Sequence, residues 1–354
     1  MSTTKVSGSA VTKLIEASRG RFRIAIEGGT PMLNRTFQLA ALAAALLVPS
    51  LMLGAPPASA DEALKVGKSV PQAFGFTPLN VGIEKGIFKK NGVEVEAVDF
   101  GGAPRLAQGL ISNAVELGLG SGPDMANIVK GAPIKAVGAS AGAPMELTIT
   151  VGTKSNINSI ADLKGRGVAV SQKGSLTGWL VSTLSAQQGW GRDGINLVLI
   201  NPMSEVLAQL ISNNVDGITV DLSTALKLQN DNHGKLLVKF GDTIKDFHLY
   251  VIFATNDVIA KHPQAVRDFL KGWYETIAWM KANKTEAVAI AAKVQNVDPS
   301  IVAGTYDLMM PVFSTDGKFN DKALAVLARS FVELGLLDKE PDMKTLYTEE
   351  FLPK

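Results

Sequence analysis

The sequence predicts an α/β protein built from two similar lobes that face each other across a cleft. Three observations predict it. First, a helix, strand and glycine-loop unit at residues 105–124 (RLAQGLISNAVELGLGSGPD) recurs at residues 207–225 (LAQLISNNVDGITVDLSTA), with Leu-Ile-Ser-Asn at 110–113 and again at 210–213. Second, that spacing exceeds the roughly 20–50 residues of a solenoid repeat, so the echo reads as two lobes rather than an array. Third, two β-rich segments, 147–151 (LTITV) and 249–254 (LYVIFA), stand where one lobe's pattern ends and the other's begins, and read as the crossings.

The elements follow in order. Residues 64–67 form a first strand, 68–76 a loop, and Thr77 with Pro78 opens a helix as cap and first turn. Gly86 ends that helix. Residues 93–100 alternate as a strand should. Gly101, Gly102, Ala103 and Pro104 open the first repeat helix, 115–119 is its strand, and Pro123 starts a short helix to Lys130. Residues 134–139 are a strand, followed by the small-residue loop that begins at Ser140. In the second lobe 168–170 is a strand, 171–175 its loop, and a helix begins near Ser175. Residues 197–200 and 218–220 are strands, with Ser204 and Glu205 opening the second repeat helix between them. Helices at 263–280, 285–294, 299–310 and 321–334 complete the chain and are expected to buttress the first lobe.

Composition bounds the class. The 354 residues suffice for two domains, 46 % hydrophobic and 19 % charged residues describe a globular protein, and 35 basic against 33 acidic residues give no sign of nucleic acid as a partner. Arg35, an apolar run at 37–48 and Ala58-Ser59-Ala60 make a secretory signal peptide, with Asp61 as the first mature residue and Met32 as the start of translation. Pro49 and Gly54 interrupt the run before it reaches the roughly 20 residues of a membrane span. No Arg-Arg pair precedes it, which favours the general secretory route. The chain has no cysteine, which excludes disulfides, a thiol nucleophile, thiolate metal sites and lipid attachment at the cleavage site.

Candidate chemistry is that of a binding site. Helices start straight out of strand-end loops near Thr77, Pro104, Pro123, Ser175 and Ser223, and helix N-termini bind anions without arginine. Ser171, Gly174, Ser175 and Thr177 form the strongest single candidate, a hydroxyl-rich loop able to bring N–H groups close to oxygens. Asp221 reads either as an acceptor for an amine or ring N–H or as a charge on a helix start, and Asp124 as the latter. Phe74, Phe76 and Phe247 line the cleft or pack in the core. Of three histidines, His233 and His262 read as solvent-facing, and His248 lies at the second crossing near the cleft. No histidine pair has metal-ligand spacing, no Gly-x-Ser-x-Gly elbow is present, and Gly67-Lys68-Ser69 lacks the earlier glycine of a P-loop. No cofactor or metal is expected.

Residues 80–90 (NVGIEKGIFKK) followed by Gly92-Val93-Glu94-Val95 resemble the A-x-E-K-G-x-F-x-x-x-G-L-x-V-E signature of the periplasmic binding proteins of the nitrate, sulfonate and taurine group, which includes pyrimidine-precursor binders related to the yeast thiamine-precursor protein. Residues 107–122, 162–165, 207–216 and 334–338 match its later blocks in order. The resemblance implies a type 2 periplasmic binding fold, two doubly wound α/β lobes joined by two antiparallel hinge strands. It divides the chain into an upstream extension and signal peptide (1–60), lobe 1 (61–150), lobe 2 (151–250) and a return to lobe 1 with C-terminal helices (251–354). It implies a cleft lined by the loop from Ser69 through Gln72, Phe74 and Phe76 to Thr77, by Gly101 and Gly102, by Ser121 and Gly122, by Ser171, Ser175 and Leu176, and by Asp221; the residues themselves add Ser140, Gly174, Thr177 and His248 as candidates. Arg105 alone lies near a predicted loop, which favours a sulfonate or carboxylate held by backbone N–H groups over nitrate. The yeast enzyme's cysteine-rich motif has no counterpart here.

The expectation is therefore a periplasmic, monomeric solute-binding component of an ABC importer. It captures a small organic anion or zwitterion and hands it to a membrane permease. An enzyme on the same fold using His248 and Asp221, and a periplasmic sensor module, are the alternatives.

Overall fold

The computed structural model describes residues 62–172 and 174–354. The signal peptide, Asp61 and Met32 lie outside the described residues. The strands, in chain order, are β1 (Glu62–Lys68), β2 (Val93–Asp99), β3 (Leu117–Ser121), β4 (Ile134–Ala141), β5 (Leu147–Gly152), β6 (Gly167–Val170), β7 (Asn196–Leu199), β8 (Gly217–Asp221), β9 (Gly234–Lys239) and β10 (Tyr250–Thr255). They make two five-stranded sheets of one topology, β2-β1-β3-β10-β4 and β7-β6-β8-β5-β9. In the first, β1 runs parallel to β2 and β3, and β10 runs antiparallel between β3 and β4. In the second, β6 runs parallel to β7 and β8, and β5 runs antiparallel between β8 and β9. Helices flank both sheets, so the fold is two α/β lobes.

The repeated sequence does the same work twice. The helix Ala103–Ile111 leads into β3 and the helix Met203–Ile211 leads into β8. Each helix ends on the asparagine of its Leu-Ile-Ser-Asn, with Asn113 at φ 54° and Asn213 at φ 61°. Asparagine tolerates this left-handed conformation better than other side-chain-bearing residues. Each asparagine N–H then closes the helix on a carbonyl, Leu110 O at 3.1 Å and Leu210 O at 3.0 Å.

The two β-rich segments are not connections. They are β5 and β10, each the antiparallel strand set inside its own sheet. Both are buried on two faces along most of their length, although one face of β5 is the threonine pair Thr148 and Thr150. A short strand-like run of this kind does not distinguish an inserted strand from a linking one. The crossings are the segments just before them, residues 142–146 and 244–249. They run antiparallel, with Leu249 N–H donating to Gly142 O at 2.9 Å, and Gly241 N–H, shortly before the second, donating to Pro144 O at 3.2 Å. β9 is a half-exposed edge strand whose short apolar run carried too little pattern to be read.

The C-terminal helices also depart from expectation. Pro263–Ala282 does pack on the first lobe, where Phe269 stacks on Phe88 with centroids 5.1 Å apart. Pro299–Met309 bridges instead. Its Tyr306 meets Phe74 of the first lobe edge-on, and its Thr305 shares a 3.0 Å hydroxyl contact with Ser223 of the second. Asp321–Glu333 bridges on another side, where Glu333 accepts from Trp179 Nε1 at 2.6 Å and from Arg192 at 3.1 Å.

Each crossing carries one buried ionisable group. Glu146, 2 % exposed, accepts from Phe74 N–H at 2.5 Å, Gly75 N–H at 3.0 Å and the Tyr250 hydroxyl at 3.0 Å. Burial, and next the nearby Asp221 charge, push its carboxyl up to about 7 against the pull of those donors. His248, 4 % exposed, accepts from Asn320 N–H at 3.0 Å and packs edge-on to Phe319. Burial pulls its imidazole down to about 4.

Two predictions follow from these crossings. A Cβ on Gly122 would lie 2.2 Å from the His248 carbonyl oxygen, so Gly122→Ala should cost about 1–3 kcal/mol of unfolding free energy in denaturant titrations. An unchanged denaturation midpoint would show that this turn is not packed against the second crossing. The second concerns pH. A raised carboxyl makes the folded state bind its proton more tightly, so the Glu146 contribution falls as pH rises from 4.5 to about 7. A lowered imidazole makes the folded state bind its proton less tightly, so the His248 contribution grows as pH rises from about 4 to 6.5. Each spans about 3 kcal/mol, and the two oppose each other. Relative to wild type, Glu146→Gln should tilt stability upward with pH across this range and His248→Gln should tilt it downward. Parallel profiles for all three proteins in urea titrations at stepped pH would refute the assignment.

Candidate functional site: two interlobe cavities

Among the described residues, two cavities are lined by strand-end loops of both lobes. The larger, about 490 Å³, is lined by Val70, Gln72 and Ala73 of the loop after β1, by Glu146 of the first crossing, by Tyr250, and by Leu147, Met203, Asp221, Ser223, Thr224 and Lys227 from the second lobe. Gln295 and Val297 of the bridging helical region close it. The smaller, about 340 Å³, is lined by Ser121, Pro123 and Asp124 after β3, by Gln172, Gly174, Ser175 and Leu176 after β6, and by Leu334 and Leu336 beyond the last long helix. Both are in the range of small-molecule sites. Ser121 and Ser175, the turns that a two-jawed cleft requires to face one another, line the same cavity.

The donors expected to hold an anion are largely occupied by the chain itself. Ser121 gives both its N–H (2.7 Å) and its hydroxyl (2.9 Å) to Asp124, and Gly122 N–H goes to Leu249 O at 3.1 Å. Ser175 gives its N–H (3.1 Å) and hydroxyl (2.7 Å) to Gln172 O, and its oxygen accepts from Gly178 N–H as a helix cap. Thr177 Oγ1 sits 2.9 Å from Ser175 Oγ and 3.5 Å from Ser171 Oγ. Phe74 and Gly75 N–H groups bind Glu146, and Gly102 N–H binds Ser69 O at 2.9 Å. Asp124 plays the capping part read for it, and its burial raises its carboxyl.

The other expected residues divide by burial. Gln72 and Asp221 line the larger cavity, and Ser121, Gly174, Ser175 and Leu176 the smaller. Phe74 and Phe76 are fully buried, Phe76 packed 4.6 Å from the Tyr250 ring, and Phe247 stacks on Trp179. For these three aromatics the core reading holds. Ser69, Thr77, Ser140 and His248 are buried too, and none is among the lining residues of either cavity; the hydroxyls of Thr77 and Ser140 have no partner. Gly101 lies beneath the Arg105 guanidinium, and Gly102 takes φ 122°, open to glycine alone.

Asp221 is the N-cap of the helix Leu222–Asn230. One oxygen accepts from Thr224 N–H at 2.9 Å, the other from Thr224 Oγ1 at 2.6 Å, and the side chain keeps partial exposure on the cavity. Sequence reading missed Glu146, Tyr250 and Gln295. Glu146 left one signal, a charge between Met145 and Leu147 in an otherwise apolar crossing, since buried charges are found paired. Tyr250 and Gln295 left none.

The model of a protein family described as NMT1/THI5 like matches residues 73–287. A Bacillus subtilis (strain 168) protein named for binding aliphatic sulfonates is 23 % identical over 284 residues, 79 % of this chain and 85 % of that one. The periplasmic aliphatic sulphonate binding protein SsuA of Escherichia coli superposes with TM-score 0.70 at 20 % identity, covering 81 % of this chain and 92 % of that one. A cysteine-to-serine variant of DSZB, crystallised with biphenyl-2-sulfinic acid, superposes with TM-score 0.63 at 16 % identity, covering 82 % and 97 %. The family match spans more than half of the chain, including the loops after β3, β6 and β8 that line the cavities, and the chain belongs to the NMT1/THI5-like family.

Proposed function

We propose that this protein is the solute-binding component of an ABC-type importer, which holds a small polar organic molecule between its lobes and presents it to a membrane permease. The observation that carries the reading is the 490 Å³ cavity walled by both lobes, so that an occupant touches both at once. Such contacts favour the closed arrangement over the open one, because a ligand shifts a conformational equilibrium by its differential affinity. The names of the Bacillus and Escherichia relatives support the same role. In this reading the chain is exported by its N-terminal leader, acts in the periplasm as a monomer, and divides into lobes near the boundaries expected from sequence. The fold likeness to DSZB is the observation on the side of an enzyme. Its crystallised form replaces a cysteine, and this chain has none. Binding without turnover fits the residues better.

A thermal-shift screen over small organic anions, zwitterions, amines and neutral heterocycles tests the reading. At least one compound should raise the melting temperature of the mature protein by several degrees, shrink its radius of gyration in solution scattering, and be recovered chemically unchanged. No stabilising compound in any class, or recovery of a converted product, would overturn it.

A further inference from the structure

Resting on that reading, the chemistry of the larger cavity narrows the solute. It has two carboxylates, Glu146 and Asp221, and the one cation among its lining residues, Lys227, is ion-paired at 2.7 Å with Asp231 one turn further along its helix. Each oxygen of Asp221 has one donor, which leaves an open acceptor position on each. Glu146 has three donors for roughly four positions. The cavity therefore presents unmet acceptors and negative charge.

Two independent observations indicate that something else completes it. Gln295 is 7 % exposed and lines the cavity; Ser223 Oγ donates to its Oε1 at 3.3 Å, while its Nε2 has no partner. A buried amide donor left alone costs about 1–3 kcal/mol, so an acceptor on a guest would be favoured there. Val70 and Met203 are 50 % and 49 % exposed, and both are on this cavity's wall. Large apolar side chains left open in a concave site indicate an apolar body to cover them.

We propose that the larger cavity selects a solute bearing a protonated amine or amidine, donated to Asp221 and Glu146, on an apolar or aromatic body that covers Val70 and Met203 and offers Gln295 an acceptor. An amidinium presents two parallel N–H donors, which matches a carboxylate with one free position on each oxygen. A sulfonate or carboxylate in the same place would bring a further negative charge beside two carboxyl groups whose charges already oppose each other. Burial and the Asp221 charge already hold the Glu146 carboxyl up at about 7, the condition that a cation relieves.

The test uses four probes of one shape, benzamidine, benzylamine, benzoate and benzenesulfonate, titrated by calorimetry and thermal shift into the mature protein and two variants. At least one cation should raise the melting temperature, and neither anion should match it. Asp221→Asn and Asp221→Ser both retain an oxygen to cap the helix, so both should fold, and both should weaken cation binding at least about tenfold. Stabilisation by the anions instead would overturn this solute class while leaving the solute-binding role standing. Cation binding undiminished in both variants would overturn the placement at Asp221. No response to any of the four would also overturn the class, and the wider solute screen would then decide the binding role separately.

Discussion

One buried carboxylate holds the interlobe region together. Glu146 lies in the first crossing, and its side chain reaches into the first lobe, where it takes the N–H groups of Phe74 and Gly75 and the hydroxyl of Tyr250. Its backbone carbonyl takes the N–H of Leu222 in the second lobe at 2.8 Å. The first set of bonds fixes the loop after β1, and with it Val70, Gln72 and Ala73. The last bond fixes the residue after Asp221, and with it the start of the helix that Asp221 caps. Both walls of the larger cavity are thus referenced to one residue. Carboxylate burial carries a desolvation penalty that only several well-placed donors offset, and here two of the three donors are amide hydrogens of the 3-10 turn Phe74–Phe76 that leads into the first helix.

The two lobes solve the same local problem with opposite placements of the acid. After β3 the N-cap is Ser121 and the acid stands three residues later at Asp124, half-buried and turned back on the Ser121 N–H. After β8 the N-cap itself is the acid, Asp221, and the hydroxyl stands three residues later at Thr224. Both arrangements satisfy orphan amide hydrogens of a helix start. Each leaves a half-buried carboxylate on a cavity wall, Asp124 on the smaller and Asp221 on the larger. A duplicated helix, strand and turn therefore places one acid on each cavity, and the acid of the second lobe, Asp221, is the one on the larger.

The architecture was legible in the sequence because it rests on local signals. Leu-Ile-Ser-Asn at 110–113 and 210–213 encodes the same left-handed helix end twice, and that repeat alone implies two matching sheets. The family signature at 80–95 placed the remaining blocks. What was not legible depends on long-range partners. Leu147–Gly152 alternates threonine with apolar residues and Tyr250–Thr255 is a short, mostly apolar run, and neither pattern shows that the strand inserts between two others of its sheet. The expectation of free amide donors failed for a similar reason. Which carbonyl or carboxylate a loop N–H meets is decided by residues such as Glu146, 72 positions from Phe74 in the chain, and no local spacing reports it. Gln295 ends the helix Lys284–Gln295, just before the bridging helix, and reaches the cavity by tertiary packing that no local pattern reports.

The bridges themselves bear on how easily the lobes part. On one side they are the Ser223 hydroxyl with Thr305 and Gln295; on another, Glu333 with Trp179 and Arg192. The Arg192 and Glu333 side chains are more than a third exposed, and ion pairs so exposed contribute about 0–1 kcal/mol. The neutral contacts are worth about 0.5–1.5 kcal/mol each, and their polar atoms regain water when separated. The crossings differ in kind. Their backbone pairing and the buried Glu146 network would leave unsatisfied charge and amides if broken, a cost of several kcal/mol. Separation is therefore directed to the bridging contacts while the crossings hold. A guest that touches both walls needs only a few kcal/mol of differential contact to decide between the arrangements, which is within reach of one charge-assisted hydrogen-bond pair and a covered apolar surface.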